Sequence, residues 1–325
     1  MFIGVDHGTN AMRFAGIDKD GVRTFELPRS EVATMSGEGI LESFTFGLGV
    51  DISDIELAAV TYSMGDGIIA IEDLRNVKSR GVISIEGVGK KTGAGTLVFD
   101  AIKDSVIPAV LIPGIHSKSN TDSRLNVFSH STSPEKIGIA YNARCKDVDN
   151  LVVSDISSNT VTVGVCGGKL TGAIDACIFA PGTQHGPLDL EAIRDVDAGK
   201  YSANEAFMNA GVLSRSPYSG VNELLKALDD GEDEAVLAME RISLFAAMEI
   251  AAMQVLMEDL GSQGKVFLAG SMGEHEFVVG RIGKHLGVMP DVLGKWSAAI
   301  GCAEIARDIA GGADHILGLE VHFEI

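Results

Sequence analysis

The sequence is short of the residues that build most metal and redox centres. It holds four cysteines in 325 residues. Cys145, Cys166, Cys177 and Cys302 fall in no Cys-x-x-Cys spacing, so neither a zinc ribbon nor an iron-sulfur site is expected, and a reduced, cytoplasmic compartment fits best. The histidines show neither His-x-x-x-His nor His-Glu-x-x-His spacing, which argues against a zinc centre, and no Gly-x-Ser-x-Gly elbow supports a serine hydrolase. Basic charge is scarce too: 26 Lys and Arg stand against 45 Asp and Glu, a formal charge of −19. That balance repels nucleic acid and anionic membrane, and no local basic patch reverses it, so the expected partner is a small molecule.

Long apolar runs are missing as well. The longest, "ISLFAAMEIAAMQVLMEDL", contains Glu249 and Gln254 and ends at Glu258 and Asp259, which suits a buried helix better than a membrane span. Asp6, His7 and Arg13 interrupt the N-terminal run too early for a secretion signal, and the chain reads as mature sequence. A phosphate-binding Walker loop is suggested by "SIEGVGKKTGAGTLVFDAI", but its spacing needs Gly at 84 and a hydroxyl at 91, where Ser84 and Lys91 stand. Lys90 and Lys91 remain candidates for neutralising an anionic substrate.

What is present is a globular composition, 46% hydrophobic, in a chain longer than one core usually supports. Two domains are expected, 1–147 and 148–325. Apolar strands at 2–6, 11–17, 22–27, 55–64 and 82–87, a helix over "TLVFDAIKDS" and a strand in "PAVLIPG" make the first an α/β domain. The second opens with three strands in "NLVVSDISSNTVTVGVCGGKLTGAIDACIF" and continues through helices in 220–261, a strand and helix in "GKVFLAGSMGEHEFVVGRIGKHLG", and the small-residue helix "WSAAIGCAEIARDIAGG".

Each half opens alike: "FIGVDHGTNAMRFAGID" and "LVVSDISSNTVTVGVCG" are both a strand, an Asp, small polar residues and a second strand. Gly8, Thr9 and Asn10 let backbone approach an anion closely. Asp6 at the strand end can hold magnesium directly or through water, and Asp155 with Ser157, Ser158, Asn159 and Thr160 repeats the pattern. At ~5 Å two facing carboxylates would repel by roughly 3 kcal/mol at an effective dielectric of ~20, a cost a cation removes. Gly270, Ser271, Met272 and Gly273 form a strand-to-helix turn on which a nucleotide base or ribose can lie, with helix amides at hand.

Together these segments resemble the actin-like ATPase superfamily of sugar kinases, heat-shock chaperones and actin, and within it the acetate and butyrate kinases. The two hairpins look like its phosphate loops, "IEGVGKKTGAGTLVFDAI" like the Gly-rich substrate segment of butyrate kinases, and "VFLAGSMGEHEFVVGRIGKHLG" like their adenosine motif. The whole chain looks like the archaeal family labelled methanogenesis marker protein twelve. The resemblance implies two ribonuclease-H-like domains, mixed sheets flanked by helices, closing on ATP and magnesium in a cleft. It also implies a homodimer and a C-terminal helix that packs back on the first domain. In that frame Asp6 and Asp155 are the catalytic carboxylates and magnesium ligands, while Gly8, Thr9, Asn10, Arg13 and Ser157–Thr160 bind phosphates. Gly270–Gly273 hold adenosine, and Lys90, Lys91, Gly93, Gly95, Arg124, Gln184 and His185 face substrate.

The departures matter equally. Acetate kinases have Asn where Asp6 stands, a His with glycines where Asp155–Asn159 stand, and an Arg in the loop that here reads Thr183-Gln184-His185-Gly186. Gln184 cannot replace a guanidinium's charge, so acetate kinase activity itself is not expected. The expected function is phosphotransfer from ATP to a small carboxylate-type molecule. The alternative is a nucleotide-binding assembly or scaffold protein of the same fold that has lost the transfer chemistry.

Overall fold

The structure, a computed structural model, describes residues 1–62, 67–81 and 93–324. The strand expected at 82–87 and the candidates Lys90 and Lys91 lie outside the described residues. The chain divides into two compact units. The first comprises Met1–Asp149, Gly167–Leu170 and Trp296–Ile325; the second comprises Asn150–Cys166 and Thr171–Lys295.

In the first unit β1 (Phe2–His7), β2 (Ala11–Asp18) and β3 (Gly21–Pro28) form an antiparallel meander. On its other edge β1 pairs in parallel with β4 (Leu57–Val60), and β4 with β6 (Ala109–Leu111). Beyond β6 come β5 (Ile71–Asp73), β15 (Leu319–His322) and β14 (His315–Ile316), giving the order β14-β15-β5-β6-β4-β1-β2-β3. Residues 3–6 and 57–60 are buried throughout, because helices cover both faces, and such strands read as unbroken apolar runs. A small ribbon of β7 (Ile115–His116) and β8 (His130–Thr132) stands apart from this sheet.

One face of the sheet is covered by α1 (Arg29–Val32), α2 (Gly37–Leu48) and α3 (Ala94–Lys103). Ser36 caps α2 by accepting the Gly39 amide, and Gly49 closes it in the left-handed conformation at φ 62°. Phe44 of α2 stacks on Phe14 with centroids 4.8 Å apart, which joins helix and sheet in one core. The other face carries α4 (Glu135–Arg144) and α10 (Ser297–Ala310). There backbones touch: a Cβ on Gly4 would overlap the Ala299 carbonyl, and one on Gly301 would overlap that of Gly138. The run of small residues in α10 is therefore the means by which helix meets strand and helix meets helix.

The second unit repeats the scheme. β9 (Leu151–Ile156), β10 (Thr160–Cys166) and β11 (Lys169–Ile174) form the meander, and β12 (Lys265–Ala269) and β13 (Asp291–Val292) continue it in parallel. Its order, β11-β10-β9-β12-β13, matches β3-β2-β1-β4-β6 of the first. The 27-residue α8 (Asp233–Asp259) crosses β10 where Gly164 leaves room, since a Cβ there would come 2.6 Å from Met253 Sδ. Against it pack α7 (Val221–Asp229) and α9 (Glu276–Leu286), while α5 (Leu190–Asp197) and α6 (Ala203–Met208) pack on each other. Among the described residues, no helix is long and apolar enough to cross a membrane.

Candidate functional site

In the first unit the hairpin places Asp6 and His7 as the last residues of β1, and the turn proper is Gly8–Asn10. A Cβ on Gly8 would come 2.8 Å from the Ala11 carbonyl, so the tight turn requires glycine. Asp6, 3% exposed, pairs in register with Arg13, whose Nη1 lies 3.4 Å from Asp6 Oδ2. Arg13 also reaches Glu26, at 3.2 Å, and thus braces the hairpin. Arg29, which the sequence pattern did not single out, donates to the Gly8 carbonyl at 2.8 Å and anchors the turn.

Behind the turn lies a cluster that sequence reasoning missed. The Thr61 hydroxyl donates to Val5 O at 3.0 Å and accepts the His7 amide at 3.2 Å, and His7 Nδ1 is also 3.2 Å from it. The His7 ring stacks on Tyr62, centroids 4.5 Å apart. Burial, reinforced by the nearby Arg29 and Arg80 charges, lowers the His7 pKa to about 3, so the imidazole is neutral at pH 7. On Tyr62 sits the Arg80 guanidinium, 5.1 Å from the ring centroid, donating to Thr96 Oγ1 at 3.0 Å. Arg80 is 8% exposed and has φ 57°, a conformation that costs a non-glycine residue about 1–3 kcal/mol.

Thr96 belongs to the first turn of α3, and Gly95 must be glycine because a Cβ would come 2.6 Å from the Tyr62 ring. At Gly93 no atom of the described residues comes within 4 Å of such a Cβ. The candidates Gly93 and Gly95 thus fall at the start of α3, next to Arg80 and Tyr62. Arg124 does not join them in the hydrogen bonds described: it forms a two-pronged pair with Asp122, 2.7 Å at Nη2, and is half exposed.

In the second unit β9 carries Asp155, 7% exposed, and the turn is Ser157–Asn159, closed by the Ser157 amide donating to Asn159 O at 2.8 Å. Thr160 is the first residue of β10; fully buried, it donates to Pro181 O at 3.0 Å. The segment after Pro181 docks on the turn: Thr183 N donates to Ser157 O, and Gln184 N and His185 N both donate to Ser158 O, at 2.8–3.0 Å. Gly182 permits this, as its Cβ would come 2.5 Å from Ser158 O.

From the other side β12 runs into Gly270 at φ 84°, where a Cβ would overlap Asp155 Oδ1. The amides of Met272 and Gly273 donate to Ile156 O at 2.9 and 3.1 Å. Those amides are therefore committed to the protein, and α9 begins only at Glu276, so the helix start expected at this turn is displaced by a further turn of chain. Asp155, Ser157–Thr160, Gln184, His185 and Gly270–Gly273 form one connected group, with the His185 ring stacked on Phe207, centroids 5.0 Å apart. Among the described residues, no group of three or more His, Cys, Asp or Glu could hold a metal ion. Asp6 in the first unit and Asp155 in the second are each a buried carboxylate near the end of a strand.

An antiparallel meander continued by parallel strands, occurring once in each unit with an Asp at the end of its first strand, defines an actin-like ATPase fold. Solved structures agree. The acetate kinase of Porphyromonas gingivalis matches with a TM-score of 0.63 at 12% identity, over 94% of this chain and 98% of that one. The propionate kinase of Francisella tularensis gives 0.63 at 11%, over 94% and 98%. A ROK family glucokinase of Streptomyces griseus gives 0.51 at 13%, over 94% and 99%. At such identities the likeness is one of fold.

In sequence the chain is 59% identical over 322 residues to a UPF0285 protein of Methanosarcina mazei, covering 99% of both chains. It is 43% identical over 332 residues to one of Methanococcus maripaludis and 42% identical over 332 to one of Methanocaldococcus jannaschii, again over 99% of each. The chain belongs to the UPF0285 family, and these relatives come from methanogenic archaea. No family model matches it.

Proposed function

We propose that the chain binds ATP with magnesium and transfers a phosphoryl group to a small carboxylate-bearing molecule. The observation that carries this reading is Arg80. A guanidinium more than nine-tenths buried, laid on an aromatic ring and hydrogen-bonded to a hydroxyl, makes no ion pair among the described residues. It stands at the first turn of α3, where backbone amides point outward and the macrodipole favours negative charge. A carboxylate fits there, since its two oxygens match the guanidinium fork.

The remaining roles are those the resemblance implies. Gly8, Thr9 and Asn10 offer a tight turn to phosphate, Ser157–Thr160 offer hydroxyls and amides, and Gly270–Gly273 offer a surface to adenosine. Asp6 and Asp155 would hold magnesium, whose charge offsets that developing on the transferred group. The protein's part in such a transfer is alignment and charge neutralisation. ATP with magnesium is expected to raise the melting temperature, and Asp6→Asn to weaken the shift and any turnover. An absent shift, or one untouched by Asp6→Asn, refutes the reading.

One observation favours a second reading. His185 is stacked on Phe207, and the Gln184 and His185 amides are tied to Ser158 O, so the loop where acetate kinases carry an Arg is built as a strut. In a nucleotide-binding scaffold such a strut would suffice. Bound nucleotide that is neither hydrolysed nor transferred would decide for it.

A further inference from the structure

Glu249 stands in the middle of α8, where the helix crosses β10, and is fully buried. Its Oε1 accepts the Ala180 amide at 3.3 Å, and its Oε2 makes no hydrogen bond. Beside it are Thr162, whose hydroxyl donates to Ser154 Oγ at 3.0 Å, and the buried carboxyl of Asp175. Among the described residues no cation pairs with it, and an ionised carboxylate served by one amide in an apolar core is strongly disfavoured.

The amide it holds has a particular place. Ala180 precedes Pro181, whose carbonyl accepts from Thr160, and Pro181 precedes the Thr183, Gln184 and His185 amides that dock on Ser157 O and Ser158 O. We propose that Glu249 is a positioning residue acting as a neutral carboxylic acid: its C=O holds the Ala180 amide, its Oε2 carries the proton, and it thereby fixes the 180–185 segment against the Ser157–Asn159 turn. Burial raises its pKa well above 4.5, with the Asp175 charge adding to the rise while the Ala180 amide and the nearby Thr162 hydroxyl oppose it. That the positioned turn binds phosphate rests on the function proposed above; the protonation does not.

Three measurements test the inference. An infrared difference spectrum, wild type minus Glu249→Gln at pH 7, should show the carbonyl stretch of a protonated acid; carboxylate bands alone overturn the proposal. The unfolded chain ionises this group near 4.5 while the folded chain keeps the proton. Stability is therefore lost as pH rises from there, the folding constant falling by up to about tenfold per pH unit relative to Glu249→Gln. Parallel pH curves for the two chains overturn it.

Glu249→Gln, a neutral isostere, should fold and keep slow hydrogen exchange at the Thr183, Gln184 and His185 amides, whereas Glu249→Leu should accelerate that exchange about tenfold or more. Failure of Glu249→Gln to fold, or unchanged exchange in Glu249→Leu, counts against the proposal. A protonated Glu249 in a chain that binds no ATP supports the positioning role and refutes the phosphate reading, so the two fail separately.

Discussion

Replacing Gly270 with alanine tests whether β12 and β9 are joined as described. Gly270 has φ 84°, and an L-residue held in the left-handed region costs about 1–2 kcal/mol. The added Cβ would overlap Asp155 Oδ1 and come 2.5 Å from the Ile156 carbonyl. The carboxylate could rotate away, but the carbonyl is backbone and already accepts the Met272 and Gly273 amides. Forcing that backbone apart adds a term of the size seen for overpacking, about 1–3 kcal/mol. The sum, about 2–5 kcal/mol, is a large part of a domain's usual 5–15 kcal/mol, so the second unit should unfold at clearly lower urea. A matched control is Gly280, an exposed position inside α9 with nothing near its absent Cβ. Gly280→Ala should stabilise by about 0.5–1 kcal/mol through helix propensity alone. Urea unfolding followed by circular dichroism measures both. A Gly270→Ala chain within about 0.5 kcal/mol of wild type would refute the close approach of the two loops.

Two further outcomes concern the first unit. His7 has its pKa lowered from 6.5 to about 3, so the unfolded chain takes up a proton that the folded chain refuses between those values. Stability is therefore retained above pH 6.5 and lost as pH falls toward 3, by up to ~1.4 kcal/mol per pH unit, less where water screens the site. His7→Gln should lose that slope in urea titrations at pH 4–7, and identical slopes would contradict the burial of the imidazole. Arg80→Lys keeps the charge but not the fork, and should weaken binding of a carboxylate acceptor roughly ten- to a hundredfold while leaving nucleotide binding intact. Unchanged acceptor affinity in a titration would remove Arg80 from the substrate site.

Which features were legible follows from how local their causes are. The two hairpins were, because an apolar run ended by Asp and small polar residues is a local pattern, and both turns fall where it put them. Helices α2 and α4 were not. Glycines 37, 39 and 47 dilute the helix signal of "GEGILESFTFGL", although Ile40, Phe44 and Leu48 keep helical spacing; α4 is buried nearly all round, Lys136 and Asn142 included, and so has no polar face to reveal its period. Arg29 and Arg80 look like solvated charges in the sequence. Arg29's hold on the first turn and the burial of Arg80 depend on partners 21 and 16 residues away.

The same distinction explains the glycines of the second turn. Ser157, Ser158 and Asn159 stand where acetate kinases, which the hairpin resembles, are richer in glycine, which on sequence alone reads as a loop that has stopped admitting close backbone. In the structure the close approach is still there, but its glycines come from outside the turn. Gly182 presses on Ser158 O and Gly270 on Asp155 and Ile156, from segments about 25 and 115 residues further along. The first turn supplies its own, Gly8, beside Ala11 O. A compact turn needs glycine at the contact, and either chain at the contact can provide it. Serines in the second turn are therefore compatible with a tight, fully tied loop, and the departure from the acetate kinase pattern that bears on the proposed transfer is Gln184 in the loop where those kinases carry an Arg, not the exchange of glycine for serine.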